Sequence, residues 1–231
     1  MPERTIAFLV FPEITPLDLV GPLQVLQALE GSSDLRTVTV GERVEPVATD
    51  LPFRIVPART FDEVPEPYGI IVPGGLLGPF HAMASDRLMG WLQRAASTAS
   101  FVGSVCTGSL VLAALGLLEG KKATTHWSFL PHLARFGATP VKGRWVEDGN
   151  VITAAGVSAG IDMALALAAR LTNETAAKTA QLILEYEPQP PFGPIAWEGS
   201  APLLQAMGGV VAQKLPTILR EKPELLAKFA P

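Results

Sequence analysis

Phe101-Val102-Gly103-Ser104-Val105-Cys106-Thr107-Gly108-Ser109 is the stretch that decides the fold. A β-prone run stops, one residue turns sharply, and a helix-prone run from Leu110 to Leu118 follows. The layout matches a nucleophile elbow, where a tight strand-to-helix turn exposes a reactive side chain above a sheet. Free N–H groups at the helix start favour thiolate over thiol and are expected to lower a pKa that begins near ~8.5. The bland alternative is a cysteine serving as a small buried hydrophobe. Its place in the turn, rather than in mid-strand, favours the reactive reading.

Working outward, Ala95 to Leu118 contains no charged residue and is long enough to span a bilayer. Gly103, Ser104, Thr107, Gly108, Ser109 and Gly116 interrupt it, so a buried strand feeding a buried helix is expected instead of a membrane span. The same strand-then-helix alternation recurs upstream. Ile6 to Phe11 precedes a helix from Leu17 to about Glu30, and Gly69 to Val72 precedes a helix from Ser85 to about Ala99. Short strands are expected at 37–40, 44–48 and 53–56. Ala123 to His126 reads as another strand end, and Ser128 to Phe136 as a short helix stopped by Gly137. Asp148-Gly149 marks a hairpin within 144–153. A buried helix within 156–169, an amphipathic helix over 173–186, and a helical tail broken at Pro216 complete the pattern. Alternating elements imply an α/β class with a mostly parallel sheet covered on both faces. One domain over 1–199, with a helical extension over 200–231 packed on it, is the simplest division of the 231 residues.

Composition excludes several roles. The net charge is −4 with no basic run, so nucleic acid is not an expected partner. The single cysteine excludes an internal disulfide and suits a reducing cytoplasm. The start, Met1-Pro2-Glu3-Arg4-Thr5, lacks the pattern of a signal peptide. One Cys and three scattered His show no metal-ligand spacing, so no metal is expected. His81 and His132 read as surface residues.

Ligands of open α/β sheets sit beyond the carboxyl ends of the strands, and Asp18, Gly74-Gly75, Cys106 and His126 all follow strand candidates there. Asp18 is either a helix cap or a carboxyl group facing Cys106; beside a thiolate and partly buried, its pKa should rise and suit proton transfer. Gly74 and Gly75 either form a tight turn or offer N–H groups to developing negative charge. Thr107 either caps its helix or hydrogen-bonds substrate. His126 is more often structural in such a setting than a catalytic partner of cysteine.

Several ordered segments resemble the DJ-1/PfpI superfamily, nearest to its isonitrile hydratase group. They are Phe11-Pro12-Glu13, Leu17-Asp18-Leu19-Val20-Gly21-Pro22, Val72-Pro73-Gly74-Gly75, Ser104-Val105-Cys106-Thr107-Gly108-Ser109, Ala123-Thr124-Thr125-His126-Trp127, Gly160-Ile161-Asp162 and 184–192. The resemblance covers about residues 5 to 193. It implies a flavodoxin-like three-layer sandwich of the class I glutamine amidotransferase type. It also implies Cys106 as nucleophile, Asp18 as acidic partner, Thr107 as hydrogen-bonding residue, and His126 and Trp127 as candidate pocket walls. The implied reaction is hydration of an organic isocyanide, as a small-molecule substrate, to an N-substituted formamide without a cofactor, in a cytoplasmic homodimer. Thr107 stands where PfpI-type proteases carry His, which argues against proteolysis. Other cysteine-dependent activities, glyoxalase-like or amide-cleaving, and a ligand- or redox-sensing role are the alternatives. AraC-type regulators share similar segments but add a helix-turn-helix region, for which the residues after Phe192 are too few and not basic enough.

Overall fold

The computed structural model describes residues 3–229. Met1, Pro2, Ala230 and Pro231, at the ends of the two expected segments, lie outside the described residues. Seven strands make the central sheet: β1 (Arg4–Leu9), β2 (Leu35–Gly41), β3 (Arg59–Thr60), β4 (Gly69–Val72), β5 (Phe101–Val105), β6 (Trp145–Asp148) and β7 (Val151–Ala154). Their spatial order is β6-β7-β5-β4-β1-β2-β3. Every pairing is parallel except the β6–β7 hairpin. The strand order reverses between β1 and β4, and a crevice opens at such a switch point beyond the carboxyl ends of the strands.

Among the described residues eight α-helices accompany the sheet: α1 (Pro16–Gln27), α2 (Gly78–Ala84), α3 (Asp86–Thr98), α4 (Gly108–Ala114), α5 (Ala159–Leu171), α6 (Glu174–Ile183), α7 (Ala201–Ile218) and α8 (Pro223–Ala227). α1, α5 and α6 pack together, while α2 packs with α3, α4 and α7. β4, β5 and β7 are buried along their whole length. This explains why they carry no charged residue and little alternation, since a strand covered on both faces has no solvent side.

The apolar stretch over 95–118 resolves into the end of α3, then β5, then α4, and no helix among the described residues is long and apolar enough to cross a membrane. The structure departs from expectation in local ways. α2 was not foreseen; it is seven residues long and opens with Pro79 near its start, too short for a periodic signal. The expected strands at 44–48 and 53–56 shrink to a ribbon of Val47–Ala48 against Arg54–Ile55. The expected helix at 128–136 is a 3₁₀ helix, Trp127–Phe136, ended by Gly137 at φ 78°. α7 runs through Pro216 instead of breaking there. The proline falls in the last turn, and buried Val211, Leu215 and Leu219 hold the segment in place.

Candidate active site

Three chain segments meet at the switch point. Residues after β1 lead into α1, Pro73-Gly74-Gly75 follows β4, and Cys106-Thr107 follows β5. Cys106 sits at φ 56°, in the left-handed region that a residue with a Cβ seldom adopts. The surroundings fix it there. Its N–H is shared between the Ala154 and Ala155 carbonyls at 3.0 and 3.2 Å. Its carbonyl accepts from Thr125 Oγ1 at 3.0 Å and Ser109 Oγ at 3.2 Å. Such strain costs on the order of 1–3 kcal/mol and persists only when over-determined, as here by four hydrogen bonds.

Glycine is required nearby for close approach. A Cβ on Gly74 would lie 2.7 Å from the Thr107 nitrogen and 2.8 Å from the Cys106 Cβ, so any larger residue would push the two loops apart. Likewise, a Cβ on Gly108 would lie 2.2 Å from the Val72 carbonyl oxygen.

Asp18 occupies the first turn of α1 and is fully buried. Its Oδ2 accepts from the Gly74 N–H at 3.1 Å, while Oδ1 has no hydrogen-bond partner within ordinary geometry. Burial pushes this carboxyl group up to about 7, against the smaller opposing effects of the Gly74 N–H and the Cys106 thiol. Cys106 is also buried, and its pKa is raised: first by loss of water, then by the negative charge of Asp18, with the Thr107 N–H opposing. This reverses the expectation that the helix start would lower it. Thr107, just before α4, supplies the weaker opposing contacts, whereas burial and the facing carboxylate act together against the thiolate. Burial thus acts against ionisation of both members of the pair.

Thr107 Oγ1 donates to the Gly75 carbonyl at 2.6 Å and accepts from the Gly75 N–H at 3.0 Å; it lies 3.9 Å from Cys106 Sγ. The Gly74 and Gly75 N–H groups are thus engaged by Asp18 and Thr107, not pointed at open space. His126 binds Ser128, with Nδ1 2.7 Å from its Oγ, and burial lowers its pKa, so it is a neutral structural cap with no bond to Cys106. Trp127 stacks at an angle between His126 and Trp197, with centroids 5.6 and 5.7 Å away. His132 is only half at the surface: it lies against Phe129 and Phe229, and its Nδ1 is buried without a partner. His81 faces Glu13 at 3.7 Å.

A cavity of about 760 Å³ adjoins the pair, lined by Leu17, Thr125, His126, Trp127, Ala155 and Trp197 among others. Leu17 precedes Asp18, and both Thr125 and Ala155 bond the Cys106 backbone, so the cavity is walled by immediate neighbours of the pair, although neither Asp18 nor Cys106 itself lines it. Thr125 and Ser109 were not singled out from sequence, although Thr125 lies in the quoted Thr124-Thr125-His126 segment. Trp197 lies beyond the alignable region and was also missed. Among the described residues no cluster of three or more His, Cys, Asp or Glu is placed to hold a metal. The arrangement can move a proton between a buried carboxyl group and a thiol, next to a largely apolar space.

Residues 4–170 match the model of the DJ-1/PfpI family. An isonitrile hydratase of Pseudomonas putida is 45% identical over 188 residues, covering 81% of this chain and 80% of that protein. The HTH-type transcriptional regulator GbdR of Pseudomonas aeruginosa is 30% identical over 172 residues, which cover 72% of this chain but 46% of the regulator. The crystal structure of a THiJ/PfpI family protein from Pseudomonas syringae superimposes with a TM-score of 0.86 at 36% identity, over 100% of this chain and 92% of that one. Fold, ordered motifs and these likenesses agree: the chain belongs to the DJ-1/PfpI family.

Proposed function

We propose that this protein is a cysteine-dependent hydratase that converts organic isocyanides to N-substituted formamides. The observation that carries the reading is the buried Asp18 carboxyl group, its pKa raised to about 7, facing Cys106. Isocyanide carbon is bonded only to nitrogen and has no leaving group. It must gain both a nucleophile and a proton, and a coupled acid–thiol pair supplies both. The 45% identity to an isonitrile hydratase supports the same choice.

In the first step the Asp18 carboxylate takes the thiol proton as sulfur bonds to the isocyanide carbon. Asp18 then delivers that proton to the same carbon, which yields a thioimidate, Cys–S–CH=N–R. Water adds next to this carbon, with Asp18 accepting a proton and the nitrogen gaining one. The carbon–sulfur bond breaks, R–NH–CHO leaves, and the proton returns to sulfur. The sum is addition of one water with no change of oxidation state, so no cofactor is called for. The Thr107 hydroxyl is held by Gly75, which leaves the Thr107 N–H beside Cys106 to steady the sulfur and the intermediate.

A redox sensor needs an accessible thiolate. Hydration needs the carboxyl group that faces Cys106 as well as the sulfur, whereas sensing needs only the sulfur, and the buried Asp18 therefore favours hydration. The decisive experiment incubates wild type and Cys106→Ala with an alkyl isocyanide and assays formamide. Product from wild type alone is expected; no product at high enzyme concentration sinks the assignment, and turnover of methylglyoxal instead would redirect it to a glyoxalase-like activity.

The reading includes a cytoplasmic homodimer. The outer face of α1, where Leu17 and Val20 are exposed, and the tail are its contact surfaces. A monomeric mass in solution would remove the dimer.

A further inference from the structure

The cavity beside Cys106 is closed on one side by residues that follow α6. Ile195, Trp197 and Leu203 line it, opposite Leu17, Trp127 and Leu130. Trp197 opens a single 3₁₀ turn over 197–199, and its ring meets Trp127 edge-on at 5.7 Å. The Lys142 ammonium lies 5.3 Å from the same ring, which gives the exposed indole a second hold. No carboxylate lines this space, and His126, its only histidine, is neutral.

The start of the segment is tied down as well. Tyr186 donates its hydroxyl to Asp162 Oδ1 at 3.0 Å, and Arg144, itself a cavity residue, pairs with the other Asp162 oxygen. Residues 186–197 are therefore anchored at both ends, by Asp162 and by the Trp127–Trp197 contact. Two indoles around a space of about 760 Å³ offer dispersion contacts to a ring or branched chain. A methyl group would touch few of them.

We propose that Trp197 is a specificity-determining residue: with Trp127 it forms an aromatic wall for the hydrocarbon group of the substrate, so that isocyanides bearing a bulky cyclic or branched apolar group are preferred over small ones. The reaction named here rests on the proposed hydration at Cys106; the ligand class rests on the cavity. The cavity lies next to the chain segments that carry the pair, because Leu17 adjoins Asp18 in the chain and Thr125 and Ala155 hydrogen-bond the Cys106 backbone.

The test compares kcat/KM for methyl and cyclohexyl isocyanide in the full-length wild type, Trp197→Ala and Trp197→Phe. Wild type should prefer the cyclohexyl compound. Trp197→Ala should lose about tenfold on it while changing little on the methyl compound, and Trp197→Phe should recover most of the loss. An equal loss on both substrates, or an intact cyclohexyl preference in Trp197→Ala, overturns the wall. In parallel, calorimetry measures N-cyclohexylformamide binding to Cys106→Ala with and without Trp197→Ala. If wild type hydrates neither isocyanide, the reaction assignment falls and binding alone decides the wall. Binding that depends on Trp197 then supports it, and absence of binding overturns it.

Discussion

Asp18 and Asp162 are the same residue in nearly the same place, the first turn of a helix on one side of the sheet, and α1 packs on α5. Their surroundings differ. Asp162 gives one oxygen to Tyr186 and the other to Arg144, so both are matched. Asp18 is fully buried, with the Gly74 N–H on one oxygen and no partner on the other. A carboxylate with both oxygens bonded organises its neighbours, whereas one buried and half-bonded is costly to ionise and becomes an acid or base near neutral pH. The fold uses the first to pin the segment after α6 and leaves the second beside the thiol.

The strongest way to break this contrast is to neutralise each in turn. Asp18→Asn should cut isocyanide turnover on the order of a thousandfold, since it removes the proton carrier. Asp162→Asn should leave turnover within about tenfold and lower stability by about 1 kcal/mol through the weakened Arg144 pair. Formamide assays and thermal melts on both variants read the two effects; comparable activity losses would mean that the residues are not divided in this way.

Stability should move oppositely at Asp18. Its folded pKa of about 7 lies above its ordinary 3.8, so the fold prefers the protonated form. That preference stabilises the protein fully below about pH 4 and is lost as pH rises to about 7. Beyond that, an ionised buried carboxylate costs on the order of 4 kcal/mol relative to the neutral group. Asp18→Asn should therefore melt higher than wild type at pH 8, with the gap closing toward pH 5. A gap independent of pH would place the ordinary, unshifted carboxyl group here. The same titration should appear in kcat/KM, which should fall about tenfold per unit below pH 7, because the doubly protonated pair lacks its base. A flat profile between pH 5 and 8 would exclude Asp18 as the titrating group.

The elbow was legible because its signals are local: an apolar strand, small residues at the turn, and a helix start, all within nine residues. The hairpin at 144–153 was legible for the same reason, through Asp148-Gly149. The rise of the Asp18 pKa was legible too, but the direction at Cys106 was not, because it depends on burial that only the assembled crevice creates and on the facing Asp18 charge. Reading the helix start alone therefore placed the Cys106 pKa on the wrong side. His126 drew attention as the lone histidine at the edge, yet it is Thr125 beside it that reaches the Cys106 carbonyl. Trp197 carried no local signal, since its partners Trp127 and Lys142 lie 70 and 55 residues earlier.

The smallest expected effect tests the matched carboxylate through its neutral partner. Tyr186→Phe keeps the ring and deletes only the hydroxyl that donates to Asp162. The lost bond should cost about 1 kcal/mol, since one Asp162 oxygen then relies on water while Arg144 keeps the other. Residues 186–197 are still held at Trp197, so kcat on a small isocyanide should stay within about twofold, while protection of the backbone amides after Tyr186 from hydrogen exchange should fall. Unchanged protection would mean that the aromatic contact alone holds the segment and that Asp162 serves Arg144 only. A large fall in turnover of the small isocyanide would instead tie the matched carboxylate to the chemistry and erase the distinction between the two aspartates.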